Sequence, residues 1–266
     1  PVSASDKDMT LPDLVAGDFA DTWGALIVRN TTHETAQGFT LSVSGSGFDE
    51  TPTQIPNIPP MSLLKAGFRI RCIAPQTTGE LETSILLKNR DGMTDHQIKA
   101  TFKVLTPDQT RRITFVSTID GSVQYYALRP ASSSSANDPP PAIVLSCHGA
   151  SVEGRGQAAA YGPKRWFHIV APTNRRPYGF DWEDFGRMDA MEVLSLSKAS
   201  LRHDPSRIYL TGHSMGGHGA WHLAVTYPDQ FAAVGPSAGW ISRSTYGRRR
   251  RDKVDASPLE SLIKRS

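Results

Sequence analysis

Between residues 11 and 106, apolar and polar residues alternate in short runs that clusters of Gly, Pro, Asn and Ser interrupt. A period of two is the signature of a strand with one buried face, and the β-branched content of these runs agrees with it. Strands are therefore predicted at 22–29 (TWGALIVR), 38–44 (GFTLSVS), 67–73 (GFRIRCI), 80–88 (ELETSILLK) and 97–105 (QIKATFKVL). Asn89-Arg90-Asp91-Gly92 separates two of them and supplies residues that accept a positive φ, which is hairpin chemistry. The number and spacing of the strands predict an antiparallel sandwich of immunoglobulin-like kind over residues 11–106.

The rhythm changes at Thr106-Pro107-Asp108-Gln109, which reads as a junction opening a second domain, 107–266. Segments 112–118 and 122–129 flank Ile119-Asp120-Gly121 as a hairpin. Beyond the polar loop 130–141, residues 142–147 (AIVLSC) lack alternation altogether, as a strand covered on both faces must. Residues 166–171, 207–211 and the shorter 231–234 read alike, and helical periodicity falls between them at 157–161, 185–202 and 215–227. Strands alternating with helices predict a mostly parallel, doubly wound α/β sheet.

The chain has 266 residues, 38% hydrophobic and 21% charged, a composition that excludes a disordered or coiled-coil chain. A net charge of +3 offers no case for a nucleic-acid partner. No apolar run is long enough to span a bilayer. The polar segment 1–10 carries no hydrophobic signal region, and fits either a terminus left by removal of an export signal or an arbitrary cut. Cys72 and Cys147 are too few for a disulfide framework or a thiolate metal site, and are read as buried free thiols. His33 and His96, isolated in turn-like surroundings, are read as solvated.

Chemistry concentrates in the second domain. Gly212-His213-Ser214-Met215-Gly216 lies directly after one predicted strand and directly before a helix. That placement describes a nucleophile elbow, a turn so tight that glycine must flank the serine. Ser214 is the candidate nucleophile, and the Met215 N–H, at a helix N-terminus, is the first candidate oxyanion donor. Cys147-His148-Gly149-Ala150-Ser151 ends the first buried strand, on the side of an open α/β sheet where ligands bind. Ala150 or Ser151 would give the second oxyanion N–H. His148, His213, Tyr178 and Trp182 are candidates for lining the substrate cleft.

Segment 208–240 (IYLTGHSMGGHGAWHLAVTYPDQFAAVGPSAGW) resembles the α/β-hydrolase superfamily, in particular its esterases related to polyhydroxybutyrate depolymerases, feruloyl esterases and prolyl-oligopeptidase-like hydrolases. The resemblance extends over about 111–240. It implies a Ser-His-acid triad acting by acyl transfer on a small or polymeric ester, with no metal or organic cofactor. It also likens the sandwich to accessory domains that precede some exported members, so a periplasmic or extracellular location is expected.

One departure matters. The superfamily keeps the order nucleophile, acid, histidine, yet the last histidine here is His222, on the helix that begins at the elbow. His218 and His222 point away from the serine oxygen and are read as packing or surface residues. The acids after Ser214 are Asp229, Asp252, Asp255 and Glu260, none at the end of a recognisable strand. The α/β domain is thus expected to be truncated, with its acid and histidine beyond Ser266 and a C-terminal fragment of the same polypeptide as partner. Arg248 to Arg251 would be an exposed loop. Two further readings stand beside the esterase: a peptidase of prolyl-oligopeptidase type, and a non-catalytic remnant whose sandwich binds a polysaccharide or a partner.

Overall fold

A computed structural model describes residues 1–74, 76–132, 138–176 and 178–241, arranged as two compact units, Pro1–Pro130 and Ala131–Ser266. The first unit is all β. In chain order it holds β1 (Val2–Thr10), β2 (Leu14–Val15), β3 (Ala20–Asn30), β4 (Thr40–Ser44), β5 (Thr53–Gln54), β6 (Ser62–Cys72), β7 (Gly79–Lys88), β8 (Thr94–Leu105), β9 (Arg111–Val116) and β10 (Val123–Arg129). Strands β1-β3-β6 form one sheet and β2-β8-β7-β4-β5 another. The two sheets share a core to which one contributes Leu26, Val28, Phe68 and Ile70 and the other Leu41, Ile85, Leu87 and Phe102, each buried to within 1% of full burial. Alternation places these side chains. β8 exposes every second residue from Lys99 to Lys103 while Ile98, Ala100, Phe102 and Val104 point inward.

All five predicted strands of this unit are present, and both predicted turns close as expected. Gly92 at φ +78° donates its N–H to Asn89 O, and Gly121 at φ +72° donates to Ser117 O. One feature departs from expectation. The polar start forms β1, paired antiparallel to β3 with Ala4 opposite Val28. An edge strand can rest on its backbone ladder, and here only Val2, Ala4 and Met9 lean on the core. The first compact unit runs through Pro130, and the β9–β10 hairpin within it pairs antiparallel, Tyr126 opposite Ile113. Asp13 N donates to Arg112 O and Thr114 Oγ1 to Trp23 O at 2.6 Å.

The second unit holds β11 (Ala142–Cys147), α1 (Gly154–Ala159), β12 (Phe167–Ala171), α2 (Asp184–Ser200), β13 (Ile208–His213), α3 (Met215–Thr226) and β14 (Ala233–Ser237). Its strands run parallel in the order β14-β13-β11-β12. Each predicted helix and strand is found, although β14 starts two residues after the apolar run that signalled it. The described residues contain no helix long and apolar enough to cross a membrane. Both cysteines are free and buried.

Candidate active site

The elbow is built from absent side chains. β13 lies between β11 and β14, with Gly212 paired to Cys147 on one side and to Pro236 on the other. A Cβ on Gly212 would lie 2.1 Å from Gly216 O, and one on Gly216 would lie 2.0 Å from Cys147 O. A Cβ on Gly217 would lie 2.3 Å from Ser237 O. Backbone therefore meets backbone on every side of the turn, and only glycine fits. Between these glycines Ser214 adopts φ 57°, ψ −117°. A non-glycine residue there costs roughly 1–3 kcal/mol, which the surrounding packing must offset. Ser214 N donates to Ser237 O at 2.9 Å, and α3 starts at the next residue, leaving the Met215 N–H in its first turn.

The loop after β11 closes on the serine. A Cβ on Gly149 would lie 3.6 Å from Ser214 Cβ and 3.1 Å from His213 O. Ala150 and Ser151 follow on the exposed side, with Ser151 at φ +64° and its hydroxyl bonded to the Tyr178 phenol. Of the four residues expected to line a cleft, Tyr178 and His213 are exposed, and His213 Nδ1 lies 3.2 Å from Ser237 Oγ. His148 and Trp182 are fully buried. Trp182 Nε1 donates to His148 O at 3.1 Å, its ring meets the His148 ring edge-on, and a Cβ on Gly219 would lie 2.4 Å from it. This pair braces the loop after β11 against α3 from beneath.

No described histidine bonds to Ser214. His148 has Gly149 O and Thr173 O at its two ring nitrogens, at 2.9 and 2.8 Å. His168 lies between Ala131 N and Arg202 O, and His203 is held by Leu201 O. His218 is buried, stacks on Trp240, and bridges Trp240 O at 3.0 Å to Glu183 Oε1 at 2.9 Å. Burial holds His222 below the ordinary histidine range. Asp229 is exposed and accepts from Gln230 Nε2. Asp252, Asp255, Glu260 and the arginine run Arg248 to Arg251 lie outside the described residues.

Sequence reasoning missed the residues that hold the 173–184 loop. Asn174 and Arg175 have φ +52° and +62°, and Asn174 is fully buried in a cradle formed by Gly179 and Gly186. Its N–H donates to Asp189 Oδ2 at 3.0 Å, and Arg175 Nε lies 3.3 Å from Asp189 Oδ1. Asp189 is pushed up to about 6, because burial outweighs the Arg175 charge and the Asn174 hydrogen bond. The available signal was an acid on the buried stripe of α2, among Gly186, Ala190, Val193, Leu194 and Ser197.

The model of the Esterase family ("Putative esterase") matches residues 96–262. The chain belongs to the Esterase family, within the α/β-hydrolase superfamily. Among curated esterase relatives, a poly(3-hydroxyalkanoate) depolymerase C from Paucimonas lemoignei is 32% identical over 117 residues, 36% of this chain and 27% of that protein. An S-formylglutathione hydrolase from Rattus norvegicus is 32% identical over 94 residues, 34% of this chain and 30% of that protein. The chain thus spans about a third or less of these relatives. A crystal structure titled as a thermostable esterase aligns over 88% of this chain and 77% of its own, at 17% identity and a TM-score of 0.43.

Proposed function

We propose that this esterase-family chain carries the nucleophile and oxyanion site of a serine carboxylic ester hydrolase. The observation behind this reading is Ser214 at φ 57°, ψ −117°, at the N-terminus of α3 and against Gly149. Ser214 Oγ attacks the ester carbonyl and its proton passes to a histidine. The resulting oxyanion is held by the Met215 N–H and by that of Ala150 or Ser151, each donor contributing about 3 kcal/mol. Collapse releases the alcohol, protonated by the same histidine, and water then cleaves the acyl-enzyme. Residues 242–266 contain no histidine and no described histidine bonds to Ser214, so the proposal takes the base and its acid from polypeptide beyond Ser266. The substrate class is a small or polymeric carboxylic ester. Export is part of the reading, in keeping with a secreted protein of Arthroderma benhamiae that is 28% identical over 149 residues. So is an immunoglobulin-like accessory role for the first unit.

The experiment is labelling with a fluorophosphonate probe, alongside turnover of p-nitrophenyl butyrate and of a matching anilide, on this chain and on the longer polypeptide. Labelling that disappears in Ser214→Ala, with ester cleaved in preference to amide, is the expected result. Amide cleavage would move the reading to a peptidase. An unlabelled Ser214 in the longer polypeptide would leave a binding protein on a remnant fold.

A further inference from the structure

The first unit carries a built site remote in sequence from Ser214. On the outward face of β3 and β6, pairing sets Trp23 beside Arg69 and Asp21 beside Arg71. These side chains point opposite to the core residues Phe68 and Ile70. Segment 49–53 runs along the edge of β6, held by Asp49 N to Arg71 O at 2.9 Å and Arg69 N to Thr53 Oγ1 at 2.8 Å. Between them lies an open cavity of about 220 Å³ lined by Trp23, Arg69, Arg71, Asp49, Thr51 and Pro52 among others.

The state of each polar group narrows what fits. Arg69 is held in place: it lies over the Trp23 ring and grips Asp21 through Nε and Nη2 at 2.6 and 2.7 Å. Asp49 Oδ1 is taken by the Thr51 N–H and hydroxyl at 2.9 and 2.6 Å. What remains is the Arg71 fork, whose Nη1 donates a long hydrogen bond to Asp49 Oδ2 at 3.5 Å and whose Nε lies 3.6 Å from Asp21 Oδ1. Arg71 Nε is enclosed and makes no hydrogen bond among the described residues, which leaves the outer nitrogens to meet a ligand. A long, weak donor–acceptor pair, Arg71 Nη1 and Asp49 Oδ2, thus stands next to an indole and a proline ring.

We propose that this cavity binds one ring of a neutral oligosaccharide. Adjacent hydroxyls on a sugar match such a pair, one accepting from Arg71 and the other donating to Asp49 Oδ2, while the ring's C–H face rests on Trp23 and Pro52. The two arginines are balanced by two aspartates whose carboxyls are held below the usual range, chiefly by hydrogen bonds from Arg69 and Thr51. A net-neutral site has little to offer a phosphate or carboxylate, which would have to displace Asp21 or Asp49 from its partners. The cavity is smaller than the roughly 300–1,000 Å³ that encloses a drug-sized ligand. One ring laid on an open face suits it.

Tryptophan fluorescence and isothermal titration calorimetry on the full chain test this, with xylohexaose and cellohexaose as probes and inorganic phosphate as the anionic comparison. A saturable response to at least one hexasaccharide is expected, weakened about tenfold or more by Asp49→Asn and by Trp23→Ala, and unchanged in Ser214→Ala. Asp49→Asn keeps the fold testable should Trp23→Ala unfold, which a melting curve reports. Absence of any response to both sugars overturns the proposal. So does sugar binding indifferent to Asp49→Asn, and so does a response to phosphate alone.

Discussion

The sandwich core and the tight turn at Ser214 reach precision by opposite means. In the sandwich, order comes from side chains that are present: Leu41, Ile85, Leu87 and Phe102 meet Leu26, Val28, Phe68 and Ile70, and each fills space the others leave. At the elbow, order comes from side chains that are missing, with Gly212, Gly216 and Gly217 letting three strand ends and a helix start touch through their backbones. A filled core yields gradually when a methylene is lost. A backbone contact at van der Waals distance has nothing to yield, so the elbow tolerates no graded change.

Gly216→Ala should break this contrast most severely. Its Cβ would sit 2.0 Å from Cys147 O, and a loss of about 4 kcal/mol or more in urea unfolding is expected, together with loss of probe labelling at Ser214. Next in size is Arg175→Gln, which leaves Asp189 buried without its cation and should cost about 3 kcal/mol at pH 8. That loss should shrink as the pH is lowered. An acid raised to about 6 in the folded protein opposes folding above that pH, and the opposition fades as protonation proceeds down to its ordinary value. The variant, lacking the arginine, should therefore recover stability towards pH 5, and Asp189→Asn in the same chain should restore much of it at pH 8. Smallest is Gly121→Ala. Gly121 has φ +72°, and a Cβ added there would meet no atom within 4 Å, so only the left-handed backbone is penalised, by about 1 kcal/mol in the same assay.

The same contrast explains what could be read from the chain. Alternation in β8 and the unbroken apolar run of β11 are local patterns, and both elements appear where those patterns lie. Gly-His-Ser-Met-Gly is local too, because the glycines that flank the turn sit within a few residues of Ser214. The support of the 173–184 loop is not local. Asn174 is buried only because Gly179, Gly186 and Asp189 come to it from further along the chain, and nothing in Thr-Asn-Arg-Arg announces a buried amide. Trp182 reads as a cleft aromatic from its loop, yet its environment is set by His148 and Gly219, far from it in sequence on either side. β1 escaped notice because a strand held by its neighbour's backbone needs little hydrophobic pattern of its own.

The two thiols give each unit its own clock. Cys72 is buried in the sandwich, where its Sγ donates to Ala74 O, and Cys147 is wholly enclosed beneath the elbow, where burial drives its thiol strongly upward. An alkylating reagent reaches neither until the surrounding structure opens, so the modification rate of each sulfur, against that of the denatured chain, measures the opening free energy of its own unit. A substitution at Gly216 would then hasten alkylation at Cys147 while Cys72 kept its pace, if the two units open separately, and would hasten both if they open as one.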